Sequence, residues 1–203
     1  IQGPHYQWNN LSVKGLCNFF SGRYDEGLHM MVSACHQLEF ESPSVHYSRA
    51  VIRLAFGKSF QKTPTDWREG IEIADQAVAP FFESRTRIDV KAFYLSTKAR
   101  LHRLLGEVET SLAASMEMIQ TLNKGKDYQW RELYYLTHSQ VLRAANQAEE
   151  ADHFLEKAFE RVMMVAGKTQ DKSLCKSWLE NVPWNREILA EAKERGIAVC
   201  GLN

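Results

Sequence analysis

The sequence predicts an all-α fold in which about four helical hairpins stack side by side and two further helices follow. Three observations lead to this prediction. Apolar residues recur at helical spacing nearly everywhere outside the Gly and Pro breaks. A frame of small residues returns along the chain with a period near forty. Proline and glycine then mark helix boundaries in the C-terminal segment.

The repeat frame is clearest at residues 22–27, which read G-R-Y-D-E-G and follow another small residue, Gly15. Weaker frames begin at Gly106 and Asn146. A small residue in the first helix of each hairpin is expected to face one in the second helix, so that the backbones approach closely. The first-helix positions are Gly15, Ala50, Ala99 and Ser139. The second-helix positions are Gly27, Gly70, Ser111 and Ala151, separated by 43, 41 and 40 residues.

The second hairpin departs from the frame, because its turn is about eight residues longer than in the other copies. The stretch 58–66 is predicted to be an inserted loop, with Thr65 or Asp66 as the N-cap of the next helix. The predicted hairpins span about residues 8–40, 43–83, 88–123 and 128–166, within an array over 1–168.

The C-terminal segment, residues 169–203, is predicted to hold two capping helices. A helix that starts near Lys172 is interrupted by Pro183, which suits the first turn of the next helix. Gly196 supplies a stop for that second helix. These helices would close the open end of the stacked array.

Charge and hydropathy exclude several classes of partner. Lys and Arg number 25, as do Asp and Glu, so no net field attracts nucleic acid or an anionic membrane. The longest apolar runs are too short to cross a bilayer. We therefore expect a soluble, cytoplasmic chain that binds neither nucleic acid nor membrane directly.

Four cysteines, Cys17, Cys35, Cys175 and Cys200, lie far apart without a C-x-x-C motif. This spacing predicts no metal site. Three of them lie in helical, apolar contexts, where cysteine acts as a small buried hydrophobe in a reducing compartment.

Motifs for catalysis or cofactor binding are missing from the sequence. It contains no phosphate-binding loop, dinucleotide turn, zinc-protease helix or nucleophile elbow. His138 beside Ser139 is the nearest approach to a base and a nucleophile, but adjacent residues on a helix point about 100° apart. The sequence predicts no catalytic residue and no cofactor.

The frame over residues 22–27 and its weaker copies resemble the tetratricopeptide repeat family, across roughly residues 8 to 165. The longer period is similar to the helical arms of bacterial signal-transduction ATPases, maltose-activator-type transcription regulators and nucleotide-cyclase fusions. The ending at residues 178–189 is similar to endings of those arms. The resemblance implies a right-handed superhelix that binds protein or peptide on its concave face, and it carries over no catalytic residue.

A basic groove is predicted where the first helices line that concave face. Its residues are Tyr47, Arg100, Arg103, Gln140 and Arg143. Arginine side chains with an adjacent aromatic ring would clamp a carboxylate or an acidic peptide. The alternative is that these arginines are solvated or pair with nearby glutamates.

The leading functional hypothesis is a non-catalytic protein- or peptide-binding scaffold within a larger regulatory or signalling protein. The start at Ile1 without Met predicts a chain cut from a longer polypeptide. The alternative function is a ligand-sensing domain that binds a signalling peptide or small effector within the superhelix, with 58–66 as a gate. Unpaired end hairpins leave homo-oligomerisation open.

Overall fold

The computed structural model describes residues 4–40, 45–78, 88–124 and 129–197. Ten helices and no strand occur within these ranges, so the all-α prediction is confirmed. The helices are α1 (Pro4–Phe20), α2 (Tyr24–Phe40), α3 (Val45–Lys58), α4 (Pro64–Val78), α5 (Ile88–Leu104), α6 (Val108–Leu122), α7 (Arg131–Ala144), α8 (Ala148–Lys168), α9 (Lys172–Glu180) and α10 (Pro183–Glu194). Of the predicted array and capping segment, residues 1–3, 41–44, 79–87, 125–128 and 198–203 lie outside the described residues.

Eight of these helices pair in chain order, α1 with α2, α3 with α4, α5 with α6 and α7 with α8. The first helix of each pair also packs against the first helix of the next pair. One apolar cluster runs through the pairs, from Leu16 in α1 to Ile188 in α10. Because a single hairpin buries too little apolar surface to be stable, this shared core stabilises all of them together.

Three hairpin turns share one conformation. Each has three residues, and the middle one is left-handed, with φ of +84° at Gly22, +77° at Gly106 and +61° at Asn146. At the first turn, the N–H of Gly22 donates to the Phe19 carbonyl and that of Arg23 to the Asn18 carbonyl. This double hydrogen bond satisfies the carbonyls at a helix end and reverses the chain within three residues.

The turn between α3 and α4 is longer, but only by two residues, since it spans 59–63. An insertion is present where it was predicted, but it is shorter than 58–66, and the predicted cap at Thr65 or Asp66 is wrong. The cap is Thr63, whose hydroxyl oxygen accepts the backbone N–H of Asp66 at 3.2 Å. Pro64 is suited to open the helix because N–H groups in the first turn have no acceptor within the helix, so a residue without an N–H loses no hydrogen bond there.

Small residues meet where the paired helices cross. A Cβ atom added to Gly27 would lie 2.6 Å from the carbonyl oxygen of Gly15, so the two backbones are in direct contact. In the third pair, the Ser111 hydroxyl donates to the Ala99 carbonyl oxygen at 2.7 Å. The fourth pair repeats this contact between the Ser139 hydroxyl and the Ala151 carbonyl oxygen, also at 2.7 Å.

The second pair uses a different partner from the predicted Ala50. A Cβ atom on Gly70 would lie 3.1 Å from the Cβ of Lys58, which therefore occupies the crossing point. A side chain at position 70 would crowd the lysine stem. The Lys58 ammonium reaches past the contact to the carboxylates of Glu69, at 2.8 Å, and Asp66, at 3.4 Å.

The C-terminal helices differ in placement. Helix α9 packs on α8, and the indole N–H of Trp178 donates to the Val162 carbonyl at 3.2 Å. Asp171 caps α9 by accepting the N–H groups of Ser173 and Leu174. Helix α10 turns back toward α7 and α8 instead of extending the stack.

Within the described ranges, no helix has the length and apolar character needed to cross a membrane. Cys17, Cys35 and Cys175 carry free thiols. The predicted burial is wrong for Cys17, which is exposed, whereas burial raises the pKa of the Cys35 thiol to about 12. Cys200 lies outside the described residues.

The contact between Gly15 and Gly27 generates a stability prediction. Gly27→Ala is expected to destabilise the fold by about 1–3 kcal/mol, because the new methyl group meets backbone atoms that cannot move aside. Gly167→Ala is the control, since no atom within 4 Å opposes its Cβ, and it should stabilise helix α8 by about 0.5–1 kcal/mol. Urea denaturation measures both. Equal effects of the two changes would contradict the close-contact interpretation.

Candidate binding face of the first helices

Helix α10 presents an apolar and an acidic stripe to the rest of the chain. Trp184, Ile188 and Ala192 recur every fourth residue, and all three are buried. Glu187 and Glu191 follow the same spacing on the neighbouring stripe. The helix therefore supplies an apolar ridge and two carboxylates on adjoining faces.

The tryptophan end of α10 reaches the first two hairpins. The ring centroid of Trp184 lies 5.7 Å from that of Phe20 in α1, in an edge-to-face arrangement. It lies 6.4 Å from Phe56 in α3 and 6.0 Å from Trp130, just before α7. Such aromatic contacts stabilise beyond the area they bury.

The acidic stripe of α10 reaches the last two hairpins. The carboxylate of Glu187 lies 3.7 Å from the guanidinium of Arg100 in α5. That of Glu191 accepts a hydrogen bond from the Gln140 amide in α7 at 2.6 Å. Helix α10 thus contacts the first helix of every hairpin, on a surface that we call the first-helix face. That face comprises Phe20, Phe56, Arg100 and Gln140.

Arg100 is the most deeply buried of the predicted groove residues, with 8% of its surface exposed. Its Nε donates to the Ser59 hydroxyl at 3.0 Å, and its guanidinium lies 4.6 Å from the centroid of the Phe60 ring. Burial lowers the pKa of Arg100, while the Glu187 carboxylate opposes that shift. The groove at Arg100 is therefore closed, and its charge is met inside the chain.

The neighbouring predicted residues surround the same carboxylates. Burial and the charge of Arg100 lower the pKa of Arg103, and Glu187 and Glu191 counteract this. Burial raises the pKa of Glu191, whereas the Gln140 hydrogen bond and the charges of Arg143 and Arg103 lower it. Arg143 also pairs with Asp152 of its own hairpin at 2.7 Å. Arg100 and Gln140 therefore contact the acidic stripe of α10 directly, while Arg103 and Arg143 act on it through their charge.

Tyr47 does not belong to this cluster. It lies beside Glu39 and Cys35 of α2, and burial together with these two groups raises the pKa of its phenol. Ser59, which does contact Arg100, lies just after α3 and follows Tyr47 by 12 residues, roughly 18 Å along the helix axis. Tyr47 therefore sits near the opposite end of the second hairpin from the basic residues.

The sequence reasoning missed the residues that fill the groove, Trp184, Glu187 and Glu191. The sequence does show them, because apolar residues and glutamates each recur every fourth residue in the short helix α10. What the spacing does not reveal is the surface on which α10 lies. The nearest partner in α7, Gln140, is separated from Glu191 by 51 positions in the sequence.

His138 and Ser139, neighbours in the sequence, have separate partners in the structure. His138 Nδ1 lies 3.0 Å from the Ser115 hydroxyl oxygen, not beside Ser139, whose hydroxyl is bound to the Ala151 carbonyl. His138 and Ser115 are buried, and burial lowers the pKa of His138 to about 4. Among the described residues, no group of three His, Cys, Asp or Glu side chains is arranged to hold a metal ion.

Comparisons of the chain with protein-family models, with curated proteins and with solved structures find no match. The tetratricopeptide resemblance and its superhelix therefore stay predictions from the residue pattern.

His138 generates a prediction for pH dependence. Its pKa falls from 6.5 when unfolded to about 4 when folded, so the unfolded chain binds more protons between these values. This group's contribution is complete above pH 6.5 and is lost as the pH falls, by about 2 kcal/mol between pH 7 and pH 5. Urea denaturation gives the free energy of unfolding at both pH values. Between pH 7 and pH 5 this free energy should fall by about 2 kcal/mol less in His138→Gln than in the unchanged chain.

The control for this measurement is His153→Gln, which alters an exposed histidine on α8. This variant should keep the full loss of stability between pH 7 and pH 5. An identical loss in the His138→Gln variant would show that the buried imidazole does not cause it.

Proposed function

We propose that this chain is a non-catalytic binding module of a larger regulatory or signalling protein and that its first-helix face recognises an acidic amphipathic helix. The observation that carries this proposal is that α10 fills the face with an aromatic anchor and two carboxylates. These groups meet residues from all four hairpins.

The face combines two kinds of recognition. At one end, the rings of Phe20, Phe56 and Trp130 surround the indole of Trp184. At the other end, the guanidinium of Arg100 faces Glu187 and the amide of Gln140 donates to Glu191. Helices that dock in grooves use this combination of apolar anchors one turn apart and charges beside them. A partner helix with an aromatic residue followed by acidic residues three and seven positions later would match the face.

An external helix must compete with α10 for this face. Because α10 is tethered to the array, its effective concentration there is high, on the order of millimolar for a short linker. A partner therefore binds only if it makes stronger contacts or if α10 is released. The module would respond to its partner by exchange of one acidic helix for another.

Charge reversal on α10 tests the proposal. In the full chain, Glu187→Lys with Glu191→Lys places two positive charges against Arg100 and Arg103 and should release α10. A fluorescent peptide of residues 181–197, which keeps both glutamates, should then bind at least about 10-fold tighter than it binds the unchanged chain. Fluorescence anisotropy measures the affinity, and circular dichroism verifies that the helices are retained.

The matched control reverses two exposed glutamates, Glu180→Lys with Glu194→Lys, and should leave peptide binding as weak as in the unchanged chain. Adding Arg100→Ala and Arg143→Ala to the charge-reversed chain should weaken the peptide again. Equal peptide affinity with and without the two arginines would reject the first-helix face as the binding surface.

A further inference from the structure

Arg53 of α3 is a buried cation without an acidic partner among the described residues. Only 9% of its surface is exposed. Its Nη1 donates to the amide oxygen of Asn9 at 2.9 Å and to the hydroxyl of Ser12 at 2.8 Å, and both acceptors are neutral. Burial and the nearby charge of Arg49 lower its pKa to about 10, so it remains charged at neutral pH.

The other buried lysine and arginine side chains of the described chain lie beside carboxylates. Lys58 lies 2.8 Å from the carboxylate of Glu69, and Arg100 faces Glu187. Arg49, one turn before Arg53, is paired with Asp89. A buried charge is costly unless an opposite charge or a full set of hydrogen bonds accompanies it. Arg53 donates both N–H groups of its Nη1 to Asn9 and Ser12. The N–H of Nε and the two of Nη2 remain for another acceptor.

A cavity of about 510 Å³ lies against Arg53. Its walls are mainly apolar and include Leu16, Phe20, Trp130, Trp178 and Trp184. Arg53 is the one charged side chain among the described residues that line it. The volume is in the range of pockets that hold small organic ligands. We call this space the Arg53 cavity.

We propose that the Arg53 cavity binds an amphipathic monocarboxylate of the fatty-acid type, with its carboxylate on Arg53 and its apolar chain against the aromatic wall. A carboxylate matches the guanidinium with two parallel hydrogen bonds and neutralises the buried charge. An apolar chain fills the remaining space without leaving polar groups unpaired. The site gives the ligand-sensing alternative a definite chemistry and does not rest on helix recognition by the first-helix face.

The cavity also adjoins the C-terminal helices. The α9–α10 turn contributes Asn181 and Val182 to its wall and α10 contributes Pro183 and Trp184, the residue that contacts Phe20 of the first-helix face. A ligand that requires this wall binds the arrangement in which α10 is docked. Its binding therefore stabilises the docked position of α10.

A series of ligands with one tail and three head groups tests the proposal. Dodecanoate and dodecylammonium, kept below their micelle concentrations, and dodecanol, kept below its solubility limit, are titrated with the full chain by isothermal calorimetry. Dodecanoate should bind at least about 10-fold more tightly than dodecanol, because its carboxylate pairs with Arg53. Dodecylammonium should bind most weakly, because its charge repels Arg53. Quenching of tryptophan fluorescence gives a second readout, since three of the five tryptophans line the cavity.

The matched variants assign the effect to one side chain. Arg53→Met should bring dodecanoate down to the affinity of dodecanol while dodecanol binding stays the same. Arg49→Met with Asp89→Asn, which removes the neighbouring ion pair and leaves Arg53 in place, should keep the preference for dodecanoate. Arg53→Lys retains the charge without the paired geometry and should give an intermediate affinity.

Equal affinity of the three ligands for the unchanged chain would overturn the proposal, and this result needs no variant to fold. Unchanged dodecanoate binding in Arg53→Met would overturn it as well. Failure here is separable from failure of the proposed function, because peptide binding to the charge-reversed chain is measured without any carboxylate ligand.

Discussion

The helices of each hairpin cross at a small residue that allows a close approach, and the rest of the structure depends on that packing. Gly15 and Gly27 leave no space for a side chain, and Ser111 and Ser139 add hydrogen bonds to the opposite backbone. Close approach lets the larger side chains on either side interlock. It thereby sets the direction in which each first helix points. A regular row of first helices follows, and the first-helix face is the surface of that row.

Helix α10 completes this face because it satisfies an apolar and an electrostatic requirement at once. Trp184 closes an aromatic cluster that would otherwise expose Phe20 and Phe56 to water. Glu187 meets Arg100, whose burial would be unfavourable without an opposite charge. The same two properties define the helix that the face would accept from another protein.

Charge is balanced across the whole chain but not at every buried position. Lys58 and Arg100 form ion pairs with carboxylates. Arg53 donates to two neutral acceptors beside a mainly apolar cavity. An unbalanced buried cation lowers stability unless something else supplies the opposite charge. Such an arrangement is typical of a binding site, where stability is exchanged for affinity.

The sequence by itself determined the helical class, the three short turns and the crossing residues of three hairpins. These features depend on spacing within a few residues of each other, which the linear pattern records directly. The same rule led to two errors: Lys58, not Ala50, lies opposite Gly70, and the loop is shorter than 58–66 because α4 begins at Pro64. Local spacing was informative but did not name every partner.

Only the tertiary structure decided what surrounds Arg100, Arg103, Gln140 and Arg143. Sequence reasoning placed these four in one groove with Tyr47, which lies along α3 beside Cys35 and Glu39 of α2 and away from them. It expected α10 at the end of the stack. The path of α10 depends on contacts between distant segments, such as Glu191 with Gln140 and Trp184 with Phe20. Pairings of this kind follow from the shape of the assembled core, which no local spacing encodes.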